Sequence, residues 1–316
     1  MTWTVGVDDR TAPFRARERR SSALRSRGND PLRRPNKPQV HWWEAGRGPT
    51  LLLLNGWSAS GLAWPRRWLG ALEPEYRVIR IDNRGSGFSR FAETPFTMAD
   101  LADDVAAVLD ATETDTATVA GISMGGMIAQ EFAIRHGERM AALVLIATRP
   151  PAPAYATAKG SSMLLDLLAP PRRDETLEAY FTRLWTSATG TGFAAREPEQ
   201  IAELVRQIAE RPTPRAMLLH QLRAVSGWGH AERLRRLRQP TAVVHGAEDP
   251  LIEPLNGRRL VELIPGARLF ELPGVGHLPP VEAPEALLEI IADVPDRDHH
   301  RNIVAGAEAP SGGGNG

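Results

Sequence analysis

Ser123, Asp249 and His277 stand in this chain in an order and in settings that would let them act together. A serine hydroxyl is a weak nucleophile until a neighbouring base takes its proton, and an imidazole base must itself be oriented by an acid. The chemistry of such a set is acyl transfer, with the serine attacking a carbonyl carbon. Ser123 lies in Gly121-Ile122-Ser123-Met124-Gly125, a G-x-S-x-G pentapeptide. The pattern is common by chance, so its flanks decide what it means. Residues 116–121 are short, apolar and partly β-branched, which predicts a buried strand, and residues 124–136 predict a helix. A serine at a strand-to-helix corner is held in a strained turn with its hydroxyl projecting from the end of the sheet. The plainer alternative is a glycine-rich turn whose serine caps the helix. Side chains at 121 or 125 would collide with the neighbouring strand or helix, which accounts for the two glycines.

The second half of the chain supplies candidate partners. Residues 240–249, Pro-Thr-Ala-Val-Val-His-Gly-Ala-Glu-Asp, predict a buried strand ending in a short acidic loop. Residues 267–272 predict another strand, followed by Gly274-Val275-Gly276-His277. His277 is the histidine placed in a loop directly after the last predicted strand. His245 falls inside a strand and is expected to be structural. Glu248 and Asp249 are adjacent, and residue type alone leaves both open as the acid.

The order serine, acid, histidine is that of the α/β-hydrolase arrangement. On these motifs the chain resembles the α/β-hydrolase superfamily over roughly residues 40–294. The resemblance implies Ser123 as nucleophile, His277 as general base and Asp249 as the orienting acid. The family pattern G-x-x-D, starting here at Gly246, selects Asp249 over Glu248. Acyl transfer also needs donors aimed at the developing oxyanion. One is expected from the backbone N–H of Met124, and the other from Trp57, in the turn Asn55-Gly56-Trp57 after the apolar run 50–54. Similar hydrolases usually carry His-Gly where this chain has Asn55-Gly56, so a histidine side chain is not available there. Asp82-Asn-Arg84-Gly85-Ser-Gly87-Phe-Ser89 matches a further family pattern, D-x-R-G-x-G-x-S, whose role is architectural.

Asn55 and Arg149 are candidates for touching substrate. Arg149 follows the strand predicted over 140–148, at the end of the sheet where ligands bind in such folds. There it would pair with the free carboxylate of an acidic lactone. The plainer reading sends Arg149 to solvent and leaves an apolar pocket for neutral, short-to-medium acyl esters.

These residues need a scaffold. Strands alternate with helices from about residue 39 to residue 295, which predicts an α/β fold: a mostly parallel sheet covered by helices on both faces. The alternation breaks over 149–235, where helix-like segments at 161–168, 175–187, 198–210 and 214–225 follow one another. This resembles the helical cap that many α/β-hydrolases insert over the site. Met163, Leu164, Leu167, Phe181, Trp185, Met217 and Leu218 could line an acyl pocket or simply pack the cap helices together. Residues 1–38 and 296–316 are expected to be disordered arms.

Composition narrows the partners. The 316 residues carry no formal net charge, although the first 40 hold ten basic and four acidic side chains. A basic arm of that kind is a weak nucleic-acid signal, and no nucleic-acid partner is expected. There is no cysteine, which excludes disulfides, thiolate metal sites and a cysteine nucleophile. No histidine–carboxylate spacing fits a zinc site, and no apolar run approaches the length of a membrane span. The first residues show no signal-peptide pattern, so a cytoplasmic location is expected. The sequence thus points to a cofactor-free, metal-free serine hydrolase acting on a small-molecule ester or lactone. Carbon–carbon hydrolases and perhydrolases use the same triad and stand as the alternative. A non-catalytic binding protein on this fold is disfavoured by the intact triad. Oligomeric state is not legible.

Overall fold

The computed structural model describes residues 40–89, 92, 94–155, 169 and 171–294. The two expected arms and the segment 161–168, with Met163, Leu164 and Leu167, lie outside the described residues.

Seven strands form one sheet in the order β1-β3-β2-β4-β5-β6-β7. They are β1 Trp42–Gly46, β2 Thr50–Leu54, β3 Arg77–Ile81, β4 Ala117–Ile122, β5 Met140–Ile146, β6 Thr241–Gly246 and β7 Arg268–Leu272. β1 pairs antiparallel with β3 at the edge, and every other pairing is parallel. Strand periodicity explains why both faces are covered. In β2, Leu51 and Leu53 enter one core and Leu52 and Leu54 enter the other, all four fully buried. β5 divides in the same way, with Leu143 and Leu145 on one face and Val144 and Ile146 on the other. Each such side chain contributes about 1.5–3 kcal/mol relative to exposure.

Helices α2 (Met98–Ala111) and α3 (Met124–Arg135) cover the first face with Leu101, Val105, Val108, Ile128 and Phe132. The opposite face is covered by α1 (Arg66–Leu72), through Trp68 and Leu72, and by the C-terminal helix Pro284–Asp293, through Leu287, Ile290 and Ile291. α2 begins where the sequence predicts: Thr97 and Asp100 form a reciprocal capping box.

Between β5 and β6 the described residues hold α4 (Leu177–Ala188), the short α5 (Phe193–Arg196), α6 (Pro198–Glu210) and α7 (Arg215–Ser226). A core of their own joins Tyr180, Leu184, Trp185, Leu204 and Ile208 to Ala59 and Leu278 from the loops beneath and to Val281 of the short helix Pro279–Glu282. α8 (Leu255–Leu263), between β6 and β7, is not evident in the sequence because Asn256 and Gly257 interrupt its apolar stripe. After β7 come α9 (Pro279–Glu282) and α10 (Pro284–Asp293).

Among the described residues no helix is long and apolar enough to cross a membrane. The chain runs from β2 to β3 on one side, then returns to place β4 on the other side of β2. That reversal opens a crevice at the carboxyl ends of β2 and β4, where open α/β sheets bind ligands.

Candidate active site

Ser123 stands at this crevice, between the end of β4 and the start of α3, with φ 56° and ψ −119°. A non-glycine residue in that region costs about 1–3 kcal/mol and persists only where its surroundings hold it. Here the neighbouring strand does so. The Ser123 N–H donates to the Ile146 carbonyl at 2.9 Å, and the Ser123 carbonyl accepts from the Thr148 hydroxyl at 2.7 Å. The glycines allow the corner to close. A Cβ on Gly125 would lie 2.1 Å from the Leu54 carbonyl oxygen, and one on Gly121 would lie 2.3 Å from that of Gly125.

The turn after β2 packs directly on the serine. A Cβ on Gly56 would stand 3.2 Å from Ser123 Cβ and 3.7 Å from Oγ, so the Gly56–Trp57 peptide runs alongside the hydroxyl. Met124 opens α3, and first-turn amides have no partner within their helix. The Asn55 side chain lines the same pocket, but its amide donates to the Ser60 carbonyl. Its own carbonyl accepts from Asn83 Nδ2 at 3.0 Å. Asn55 thus braces the turn, and Asn83, which the sequence does not single out, braces Asn55.

His277 Nδ1 lies 2.8 Å from Asp249 Oδ2, and both side chains are buried. Asp249 Oδ1 accepts from the N–H groups of Leu251 and Ile252, each at 2.9 Å. His245 Nε2 stands 3.3 Å from Oδ2 and 2.8 Å from the Ile252 carbonyl. Burial opposes the charge on Asp249, but His277 and His245 outweigh it and hold the carboxyl well below the usual carboxylate range. An ionised carboxylate only accepts, so in this hydrogen bond His277 Nδ1 is the donor. Glu248, the competing acid, is exposed and accepts from the Thr191 N–H at 2.7 Å.

Ser123 and His277 line one pocket, walled by Trp57, Trp64, Trp185, Leu204, Ile208, Leu251 and Leu278. Of the cap residues read from the sequence, Trp185 reaches this wall. Met217 packs against Gly85 instead, and the Leu218 carbonyl accepts from the Trp57 indole N–H. Leu204, Ile208 and Leu278 were missed, although the i, i+4 spacing of 204 and 208 marks one face of a predicted helix.

Arg149 is not among the described residues that line the pocket, and it is half-buried rather than pointing to solvent. Its guanidinium donates to the carbonyls of Pro150 and Val225 and lies 4.0 Å from the centre of the Tyr155 ring. A position at the end of a strand fixes where the backbone is, whereas the aromatic ring and open carbonyls under α7 decide where the side chain goes.

The loop 82–89 is a tied turn. Asp82, fully buried, accepts from the N–H groups of Gly61 (2.7 Å) and Phe88 (2.8 Å). Arg84 makes a bidentate pair with Asp104 of α2.

The α/β-hydrolase fold family matches residues 49–284 of this sequence. The chain belongs to the α/β-hydrolase fold family. Its relatives within that family include a poly(3-hydroxyalkanoate) depolymerase from Ectopseudomonas oleovorans, 32% identical over 88% of this chain and 93% of the relative. A pimeloyl-[acyl-carrier protein] methyl ester esterase from Aeromonas hydrophila is 30% identical over 78% of this chain and 95% of its own. Among solved structures, a thermophilic esterase from Thermogutta terrifontis superposes with a TM-score of 0.66 at 26% identity, covering 84% of this α/β hydrolase and 93% of the esterase.

Proposed function

We propose that this chain is a serine hydrolase that cleaves a carboxylic ester or lactone through an acyl-enzyme on Ser123, without a cofactor. The observation that carries the reading is the buried Asp249–His277 hydrogen bond, whose histidine lines the same pocket as a serine on a strained strand–helix corner. The kinship with named esterases supports the bond type.

In this reading His277 Nε2 takes the Ser123 hydroxyl proton as Oγ attacks the ester carbonyl carbon. The carbonyl oxygen becomes an oxyanion facing the N–H groups of Trp57 and Met124, which bond to it more strongly as its charge grows. The protonated imidazole then gives its proton to the departing alcohol oxygen. Water enters, His277 takes its proton, and attack on the acyl carbon releases the acid and restores Ser123. Asp249 keeps the imidazole in the tautomer that both half-reactions need. The helices between β5 and β6 serve as a cap whose Trp185, Leu204 and Ile208 hold the acyl group away from water.

The pocket wall selects among acyl groups. Among the described residues its lining is aromatic and aliphatic apart from Ser123, His277 and Asn55, with no Lys or Arg. A carboxylate buried there would be unpaired, at a cost of several kcal/mol. The substrate is therefore a neutral ester or lactone with an apolar acyl portion, and an acidic lactone is disfavoured. The test is a series of p-nitrophenyl esters of graded chain length, run beside an acidic enol-lactone and a ring-cleavage dienone. Ester turnover abolished by Ser123→Ala is the expected result. Turnover of the dienone with inert esters would replace ester cleavage by carbon–carbon hydrolysis.

A further inference from the structure

Three successive backbone amides hold the loop that carries His277, and their acceptors lie outside the pocket. The His277 N–H donates to the carbonyl of Ala188, the last residue of α4, at 2.7 Å. The amides on either side both donate to Glu282: Gly276 to Oε2 and Leu278 to Oε1, each at 2.9 Å. Glu282 Oε2 takes another N–H at 2.7 Å, from Gly190 just beyond α4. One carboxylate on α9 thus joins the histidine loop to the cap. The next amide along, Thr191, donates to Glu248 on the loop that carries Asp249.

This junction is backbone against backbone. A Cβ on Gly190 would lie 2.1 Å from the Gly274 carbonyl oxygen. A Cβ on Gly276 would lie 2.5 Å from both the Ala188 oxygen and the Gly190 nitrogen. No side chain fits between the two segments, so a shift of one is passed directly to the other. α4 also carries Trp185, which forms part of the pocket wall, less than one turn before Ala188.

We propose that Glu282 is a positioning residue that couples the seating of the cap to the placement of His277. The proposal rests on the role of His277 as base given above. Glu282 lines no part of the pocket; it acts by holding the amides on both sides of the histidine. An ionised carboxylate binds amide donors more strongly than a neutral acceptor does. With it removed, the loop keeps the Ala188 bond and loses the two that fix its register. A displacement of about 1 Å at a general base can cost roughly a hundredfold in rate.

The test is the second-order rate at which a small alkyl fluorophosphonate labels Ser123, normalised to folded protein, in wild type, Glu282→Ala and Glu282→Gln. This probe reads the nucleophile and its base and makes little use of the acyl pocket. Glu282→Ala should label about 10- to 100-fold more slowly than wild type. Glu282→Gln, which keeps the side-chain length and one acceptor oxygen, should fall in between. With a p-nitrophenyl ester the loss should appear in kcat, with KM within about threefold. Should Glu282→Ala fail to fold, the glutamine variant decides, and a wild-type labelling rate there overturns the coupling. An unlabelled wild type overturns instead the assignment of Ser123, on which the coupling depends.

Discussion

Ser123 and Asp249 have different roles in the proposed reaction, and a substitution at each tests its role. Ser123→Ala removes the attacking atom, so kcat should fall roughly 10⁴-fold or more while the protein stays folded. Asp249→Asn keeps the shape but offers Nδ1 of His277 an amide that can donate, so the wrong imidazole tautomer is stabilised. Its kcat should also fall by about 10⁴-fold. Asp249 gives a separate stability signal. Its folded pKa lies below the ordinary 3.8, so its contribution is fully present above that value and is lost as pH falls towards the depressed one. Urea unfolding of wild type and Asp249→Asn from about pH 7 to about pH 3 should show the stability gap narrowing on acidification. A constant gap would mean that the carboxylate is not held by the two histidines. Arg149→Ala should behave differently from all of these. Its stacking on Tyr155 and its carbonyl bonds are structural, so stability should drop by about 1–2 kcal/mol. The ratio of neutral-ester to acidic-lactone kcat/KM should stay within about twofold of wild type.

At the scale of elements, the corner between β4 and α3 depends on what is absent from it. Gly125→Ala would push a methyl into the Leu54 carbonyl, and β2 and β4 cannot part without breaking their ladder. Overpacking of this kind costs about 1–3 kcal/mol or more, and urea unfolding of the variant measures it. This corner is also where the sequence is most readable. A buried strand, a G-x-S-x-G and a helix are contiguous, so local pattern carries the whole element. The histidine loop and the acid loop are legible for the same reason, each following an apolar strand directly. Thr148, Asn83 and Glu282 are not legible, because each acts on backbone that approaches it only in the folded chain. Glu282 sits five residues after His277, yet what gives it meaning is Gly190, far away in sequence. Arg149 shows the limit from the other side: sequence order placed its backbone at the end of β5 but could not choose its rotamer.

For the molecule as a whole, the parallel strands bring the loops that carry Trp57, Ser123, Asp249 and His277 to one end, and the helices between β5 and β6 roof them with an apolar wall. The alternation of four leucines along β2 shows how the sequence secures this arrangement, since each face of the sheet needs every second residue. In the proposed reaction this wall, more than Ser123, His277 and Asp249, would set substrate choice. Leu204→Ala should move the preferred p-nitrophenyl ester to a longer acyl chain and lower kcat/KM on the shortest esters by about tenfold, as lost methylene contacts do. An unchanged chain-length profile would show that the acyl group does not reach α6. In the proposed mechanism the acyl group passes covalently through Ser123. Rapid quenching of wild type with a p-nitrophenyl ester, followed by peptide mass mapping, tests it most directly. The acyl mass should appear on the peptide containing Ser123, and Ser123→Ala should show neither that adduct nor more than about a tenth of the turnover. An adduct on a different residue, or full turnover in Ser123→Ala, would contradict it.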